Sequence, residues 1–104
     1  MTLDDLAEII AKRATADASE SWTAKLLGKG PEKCAEKFGE EAVEAVIEAV
    51  RGDREALTNE AADVLFHLLV MLQSRDVALS DVMRELARRQ GTSGLVEKAA
   101  RKKG

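Results

Sequence analysis

The sequence predicts an all-α fold, an antiparallel helical bundle completed by dimerisation. Three observations lead there. Apolar residues recur at three- and four-residue spacing, and no segment alternates with the period of two that a half-buried strand requires. Helix caps and helix stops punctuate the chain at short intervals. Only three aromatic residues are present, Trp22, Phe38 and Phe66, a thin supply for a monomeric core, so the helices are expected to bury surface against a second copy.

The elements follow in order. Thr2 is positioned as an N-cap with Asp5 as its capping-box partner, and a first helix is predicted over 3–14. Polar, alanine-rich residues 15–20 form a connection. Ser21 caps a short helix from Trp22 to Leu27, ended by Gly28, and Gly28-Lys29-Gly30 is a break. Pro31 suits the first turn of a third helix, where its missing N–H is not needed. That helix is predicted to run to Arg51, with Gly52 as its stop and Asp53 capping a fourth over 54–75. Ser80 is expected to open a fifth helix, 81–90, closed by Gly91. The tail reads as partly helical from Leu95 to Lys103. The short turn at Gly52 makes the third and fourth helices antiparallel neighbours.

At 104 residues, one domain over 1–104 is expected. The net charge of −3 argues against nucleic acid as a partner. A single cysteine, Cys34, allows no internal disulfide and fits a reducing cytoplasm. The start, Met1-Thr2-Leu3-Asp4-Asp5, is acidic and leads no apolar run, so neither a signal peptide nor a membrane segment is expected.

Two acidic clusters carry the chemistry: Glu40-Glu41-x-x-Glu44 on the third helix and Glu60-x-x-Asp63 on the fourth. At about 100° per residue, Lys33, Lys37, Glu40, Glu41, Glu44 and Glu48 share one arc of the third helix. Phe38, Ala42, Ala45, Val46 and Ala49 lie on the other side as its expected core face. Glu40–Glu44 and Glu44–Glu48 are like charges four apart, which destabilise a bare helix. Asp63 lies within the almost continuously apolar run Ala61 to Leu72, expected to be buried, and a carboxylate carried inward needs a counter-charge. The two clusters can face each other across an antiparallel pair. Oxygen donors without sulfur suit a hard cation, Mg²⁺ or Mn²⁺ in its place. A di-iron bundle would need Glu-x-x-His pairs, and zinc more His and Cys than one of each. The bland alternative is a solvated acidic face.

His67 reads either as a packed residue bonded to Asp63 or a backbone carbonyl, or as a residue that supports the groups of the site or contacts the substrate. Cys34 reads as a small helix residue without chemistry. Lys25, Lys29, Lys33 and Lys37 recur every four residues ahead of the acidic cluster. They are either ordinary solvated lysines or, beside a metal, a clamp for polyphosphate at a helix start.

The pattern Glu-Glu-x-x-Glu … Glu-x-x-Asp, with 15 residues between Glu44 and Glu60, resembles the signature of the all-α nucleoside triphosphate pyrophosphohydrolases. Within that superfamily the chain is similar, nearly end to end, to the phosphoribosyl-ATP pyrophosphohydrolases of histidine biosynthesis. Four segments carry the narrower likeness: Ser21-Trp22-Thr23-Ala24-Lys25-Leu26-Leu27, Lys37-Phe38-Gly39-Glu40-Glu41-Ala42, Asn59-Glu60-Ala61-Ala62-Asp63 through Val70, and Ser93-Gly94-Leu95-x-Glu97-Lys98-Ala99. Phe66 departs from the tyrosine frequent there.

The resemblance implies cleavage of phosphoribosyl-ATP between its α and β phosphates, giving phosphoribosyl-AMP and pyrophosphate. It also implies Mg²⁺ on Glu41, Glu44, Glu60 and Asp63. Glu40 would orient or deprotonate the water, and Lys25, Lys29, Lys33 and Lys37 would hold phosphates. Trp22 would either stack on the purine or pack. No cyclohydrolase segment accompanies the likeness, so the next pathway step is expected on another polypeptide. The rival readings are a house-cleaning pyrophosphohydrolase of dUTP or damaged nucleotides, and a helical dimerisation module.

Overall fold

The computed structural model describes residues 1–91. Five helices and no strand occur among them: α1 Leu3–Ala14, α2 Trp22–Gly28, α3 Pro31–Arg51, α4 Arg54–Ser74 and α5 Leu79–Gln90. The predicted tail helix and the Ser93–Ala99 segment of the resemblance lie outside the described residues. None of the described helices is long and apolar enough to cross a membrane.

Local chemistry sets most of the boundaries. The Thr2 hydroxyl accepts from the Asp5 amide at 3.1 Å and the Asp5 carboxylate accepts from the Thr2 amide at 3.0 Å, a complete capping box. Ser21 Oγ accepts from the Ala24 amide at the head of α2. Gly30 precedes Pro31 with φ 98°, a backbone region that side chains resist. Gly52 closes α3 in the left-handed region at φ 80°, and the Asp53 carboxylate accepts from the Ala56 amide to start α4.

Helix α2 extends one residue further than expected, to Gly28, and α4 ends one residue earlier, at Ser74; the larger difference is in α5. Helix α5 starts at Leu79 rather than 81, its N-cap is Ala78 without a side-chain bond, and Ser80 lies inside the first turn. Leu79 packs against the core, which draws the chain into helix before the serine.

The core is small and lies at one end of the molecule. Ile10 of α1, Leu26 of α2, Cys34 of α3, and Leu69 and Val70 of α4 are buried together, ringed by Leu6, Leu27, Phe66, Met71 and Leu72. Burying each of the aliphatic ones stabilises the fold by about 1.5–3 kcal/mol. Helices α1 and α2 thus cover the open end of the α3–α4 hairpin. Among the described residues, no helix covers the end near Gly52 in the same way.

That asymmetry corrects two expectations. Phe38, Ala42 and Ala45 are half-buried, but Val46 is 61% exposed and Ala49 is exposed as well, so they form no core within one chain. The run 61–72 is not uniformly interior either: His67, Leu69 and Val70 are buried, whereas Ala61, Ala62, Asp63 and Leu65 are exposed. Val43, Val46, Ile47 and Val50 leave an open apolar stripe on α3, and Leu65 is exposed on α4. A shallow cleft over Leu57, Ala61, Ala62 and Leu65 continues the apolar surface along α4.

Candidate metal centre

The α3–α4 seam carries the acidic residues because i,i+3 and i,i+4 spacing keeps each set on one helix face. Glu41 on α3 and Glu60 and Asp63 on α4 each offer a carboxylate oxygen, and these oxygens all lie within 4.8 Å of one another. Glu44 stands within hydrogen-bonding reach of both Glu41 and Glu60. Two carboxylates can make such a contact only by sharing a proton or a cation. One oxygen of Glu60 is sealed from solvent with no partner among the described residues, and so is one oxygen of Glu48, whose other oxygen accepts from Arg51 at 3.2 Å.

The electrostatics agree with crowding. Removal from water raises the Glu41 pKa above the usual carboxylate value, and the charges of Glu44 and Asp63 push it further, with Lys37 opposing. Glu60 is raised for the same reasons, partial removal from water first and Glu44 next. No cation among the described side chains neutralises the group as a whole. The fit to a divalent ion is therefore good: convergent oxygens, an unpartnered buried lone pair and uncompensated negative charge are what a hard cation satisfies.

The other sequence-derived residues are placed as follows. Glu40 lies outside the closest set and accepts from Lys37 Nζ at 3.2 Å. That bond raises the Lys37 pKa, with added attraction from Glu41 and Glu44, so the ammonium is held beside the cluster. Lys33 pairs instead with Glu36 at 3.2 Å. Lys29 lies over the Trp22 ring, 5.8 Å from its centroid. Lys25 lines a cleft with Ser19, Ser21 and Trp22. Of the four lysines, Lys37 is the one whose charge is felt at the carboxylates.

Trp22 is 50% exposed and also walls a second cleft of about 440 Å³, shared with Arg13, Glu20, Ser21, Thr23 and Phe66. Phe66 links this cleft to the turn of α4 after Asp63. Arg13 was not singled out from the sequence, since it arrives from a separate helix with no local pattern to mark it. A Trp face, a guanidinium and hydroxyls together suit an aromatic, anionic ligand.

His67 is buried, and its Nδ1 has no partner among the described residues, so that nitrogen does not make the expected bond to Asp63 or a carbonyl there. Its ring meets Phe66 edge to face at 5.1 Å. Cys34 is fully buried, its Sγ 3.6 Å from the Leu26 carbonyl, and burial pushes its thiol pKa up, which fits a residue without chemistry.

A sequence profile of the phosphoribosyl-ATP pyrophosphohydrolase family matches residues 3–90. Among curated relatives, a phosphoribosyl-ATP pyrophosphatase of Ruegeria pomeroyi is 70% identical over 102 residues, covering 98% of this chain and 97% of the relative. One of Paracoccus denitrificans is 71% identical over 100 residues, 96% and 93% of the two chains. One of Dinoroseobacter shibae is 73% identical over 92 residues, 88% and 90% respectively.

Proposed function

The chain belongs to the phosphoribosyl-ATP pyrophosphohydrolase family, and on that footing we propose that it hydrolyses phosphoribosyl-ATP to phosphoribosyl-AMP and pyrophosphate, the second step of L-histidine biosynthesis. The observation that carries the reading to this molecule is the convergence of Glu41, Glu60 and Asp63 within 4.8 Å, with Glu44 in contact. Glu41, Glu44, Glu60 and Asp63 would hold Mg²⁺, with Mn²⁺ able to replace it. When bound, the ion supplies Lewis-acid polarisation of a phosphate oxygen and a more acidic water.

The remaining roles belong to the chain's own groups. Glu40 stands on the same helix stripe but outside the closest carboxylate set, which leaves it available to orient a water and accept its proton. Lys37, kept charged by Glu40, faces the phosphates, and Lys25, Lys29 and Lys33 extend the cationic side. Trp22 offers its ring to the purine. Charge neutralisation by lysines opposite the carboxylate-held ion would bind the polyphosphate from both sides.

Dimerisation is part of this reading. Val43, Val46, Ile47, Val50 and Leu65 form an apolar surface at the end of the hairpin that α1 and α2 leave uncovered, and a second copy of the chain would cover it. A cytoplasmic site of action fits a single reduced, buried cysteine.

The test is pyrophosphate release by the purified protein with Mg²⁺, comparing phosphoribosyl-ATP with ATP, dUTP and dCTP, and with EDTA as control. EDTA-sensitive turnover of phosphoribosyl-ATP alone is expected. Preferential turnover of dUTP or dCTP would replace the substrate assignment with nucleotide house-cleaning.

A further inference from the structure

His67 is 7% exposed, and its Nδ1 is sealed from solvent without a hydrogen-bond partner among the described residues. Buried polar atoms in native proteins are almost always satisfied, so an orphan of this kind asks for a cause. Packing does not supply one, because an apolar side chain of similar size would fill the same space without stranding a nitrogen.

The helix register shows what stands across from the ring. Glu41 meets Asp63, and Glu44 meets Glu60, so α3 and α4 run antiparallel in one fixed alignment. One turn back on α3 and one turn on along α4, that alignment sets Lys37 opposite His67. Still further along, Cys34 and Ser74 are in contact, which brackets the position from the other side. The charged groups acting on the ring are Lys37 and Glu40 from α3 and Asp63 from its own helix. Lys37 has three N–H donors and spends one on Glu40, and its side chain is 27% exposed.

We propose that His67 is a positioning residue for Lys37: when a phosphate group occupies the site, Nδ1 accepts a second hydrogen bond from the Lys37 ammonium, which aims the third N–H at a phosphate oxygen. The proposal rests on the function assigned above and extends it to a residue outside the acidic signature. Burial and the Lys37 charge both hold the ring neutral, the state in which one nitrogen is a free acceptor. The edge-to-face contact with Phe66 fixes the ring plane. A lysine held by two acceptors loses little further freedom on meeting its ligand, which is the gain preorganisation brings.

The experiment compares His67→Leu, His67→Asn, Lys37→Met and the His67→Leu/Lys37→Met double variant. The first readout is the affinity of the Mn²⁺-loaded protein for inorganic pyrophosphate by calorimetry; the second is kcat and KM for phosphoribosyl-ATP. His67→Leu is expected to melt no lower than wild type and to bind Mn²⁺ normally, yet to lose pyrophosphate affinity by about tenfold. His67→Asn, whose amide reaches the place of Nδ1, regains most of it, and the double variant binds no more weakly than Lys37→Met alone.

Wild-type affinity in His67→Leu overturns the proposal, as do losses that multiply in the double variant, or a wild-type protein that takes up no pyrophosphate. A His67→Leu protein that melts lower or loses Mn²⁺ assigns the ring to packing and overturns it too. The pyrophosphate arm does not depend on the nucleotide, so a wild-type chain inactive on phosphoribosyl-ATP would sink the substrate assignment alone.

Discussion

Replacing Val46 with Asp tests whether the uncovered end of the α3–α4 hairpin is a subunit interface. Fully burying a valine is worth about 1.5–3 kcal/mol. Val46 is 61% exposed in one chain, so covering it with a second copy is worth about 1–2 kcal/mol per subunit. A twofold interface uses the residue twice, so the dimer gains about 2–4 kcal/mol from this position. Losing that alone weakens association roughly 30- to 700-fold, and the two carboxylates that Val46→Asp would bury weaken it further. The same substitution leaves the buried core of the single chain untouched, since neither Val46 nor its neighbours Val43 and Val50 belong to it. Sedimentation velocity over a dilution series should therefore show a wild-type dimer and a Val46→Asp monomer with an unchanged circular dichroism spectrum. A variant that sediments as the wild type does, or a wild type that stays monomeric at every concentration, would refute the reasoning.

Further outcomes are expected at the carboxylates and in the core. Glu60→Gln should abolish tight Mn²⁺ binding, whereas Glu40→Gln should keep it and lose turnover; calorimetry beside a pyrophosphate assay separates the two roles, and full activity in both variants would contradict them. Glu41 and Glu60 have folded-state pKa values above the ordinary 4.5, so the folded form binds more protons than the unfolded one between those limits. Their crowding thus weakens the metal-free fold in full at neutral pH, and the weakness is relieved as pH falls through the raised values. The melting temperature of the EDTA-treated protein should rise on mild acidification, and Glu60→Gln should flatten that rise; identical profiles for the two proteins would count against the crowding. Glu85 has the opposite sign: Arg88 and Arg89 hold its pKa at about 2, so its contribution is intact above 4.5 and is lost as pH falls toward 2. Leu26→Ala should cost about 2–5 kcal/mol in urea denaturation because Leu26 is fully buried; a loss below that range would show the site collapsing around the smaller side chain.

The limits of α3 were legible because Pro31, Gly52 and Asp53 act through their own backbone geometry and hydrogen bonds. The start of α5 was not, because Leu79 is drawn into helix by the core and not by a cap. Periodicity identified Val46 and Ala49 as an apolar stripe, but a stripe left open in one chain has the same spacing as one that meets its own core. The face of α3 that meets α4 includes Glu41, and Glu48 is half-buried as well, although the sequence pattern puts both on the acidic side. Glu41, Glu60 and Asp63 could be paired in advance since spacing on two antiparallel helices suffices. The orphaned nitrogen of His67 could not, because hydrogen-bond satisfaction depends on what the opposing helix brings to that level. Arg13 escaped notice for a related reason: it joins Trp22 only through the packing of α1 beside α2.

The hairpin closed by Gly52 and Asp53 also has a kinetic consequence. All the carboxylates of the proposed centre belong to two helices linked by two residues, and closing so short a loop costs little chain entropy. A helix pair with so short a link is expected to dock among the first elements. If the hairpin orders first, the mutual repulsion of Glu41, Glu44, Glu60 and Asp63 falls within that step and is expected to raise its barrier. A cation gathered by the nascent hairpin would lower that barrier. Stopped-flow refolding should then quicken with Mn²⁺ in the wild type and not in Glu60→Gln, and equal rates in both would place the hairpin late on the route.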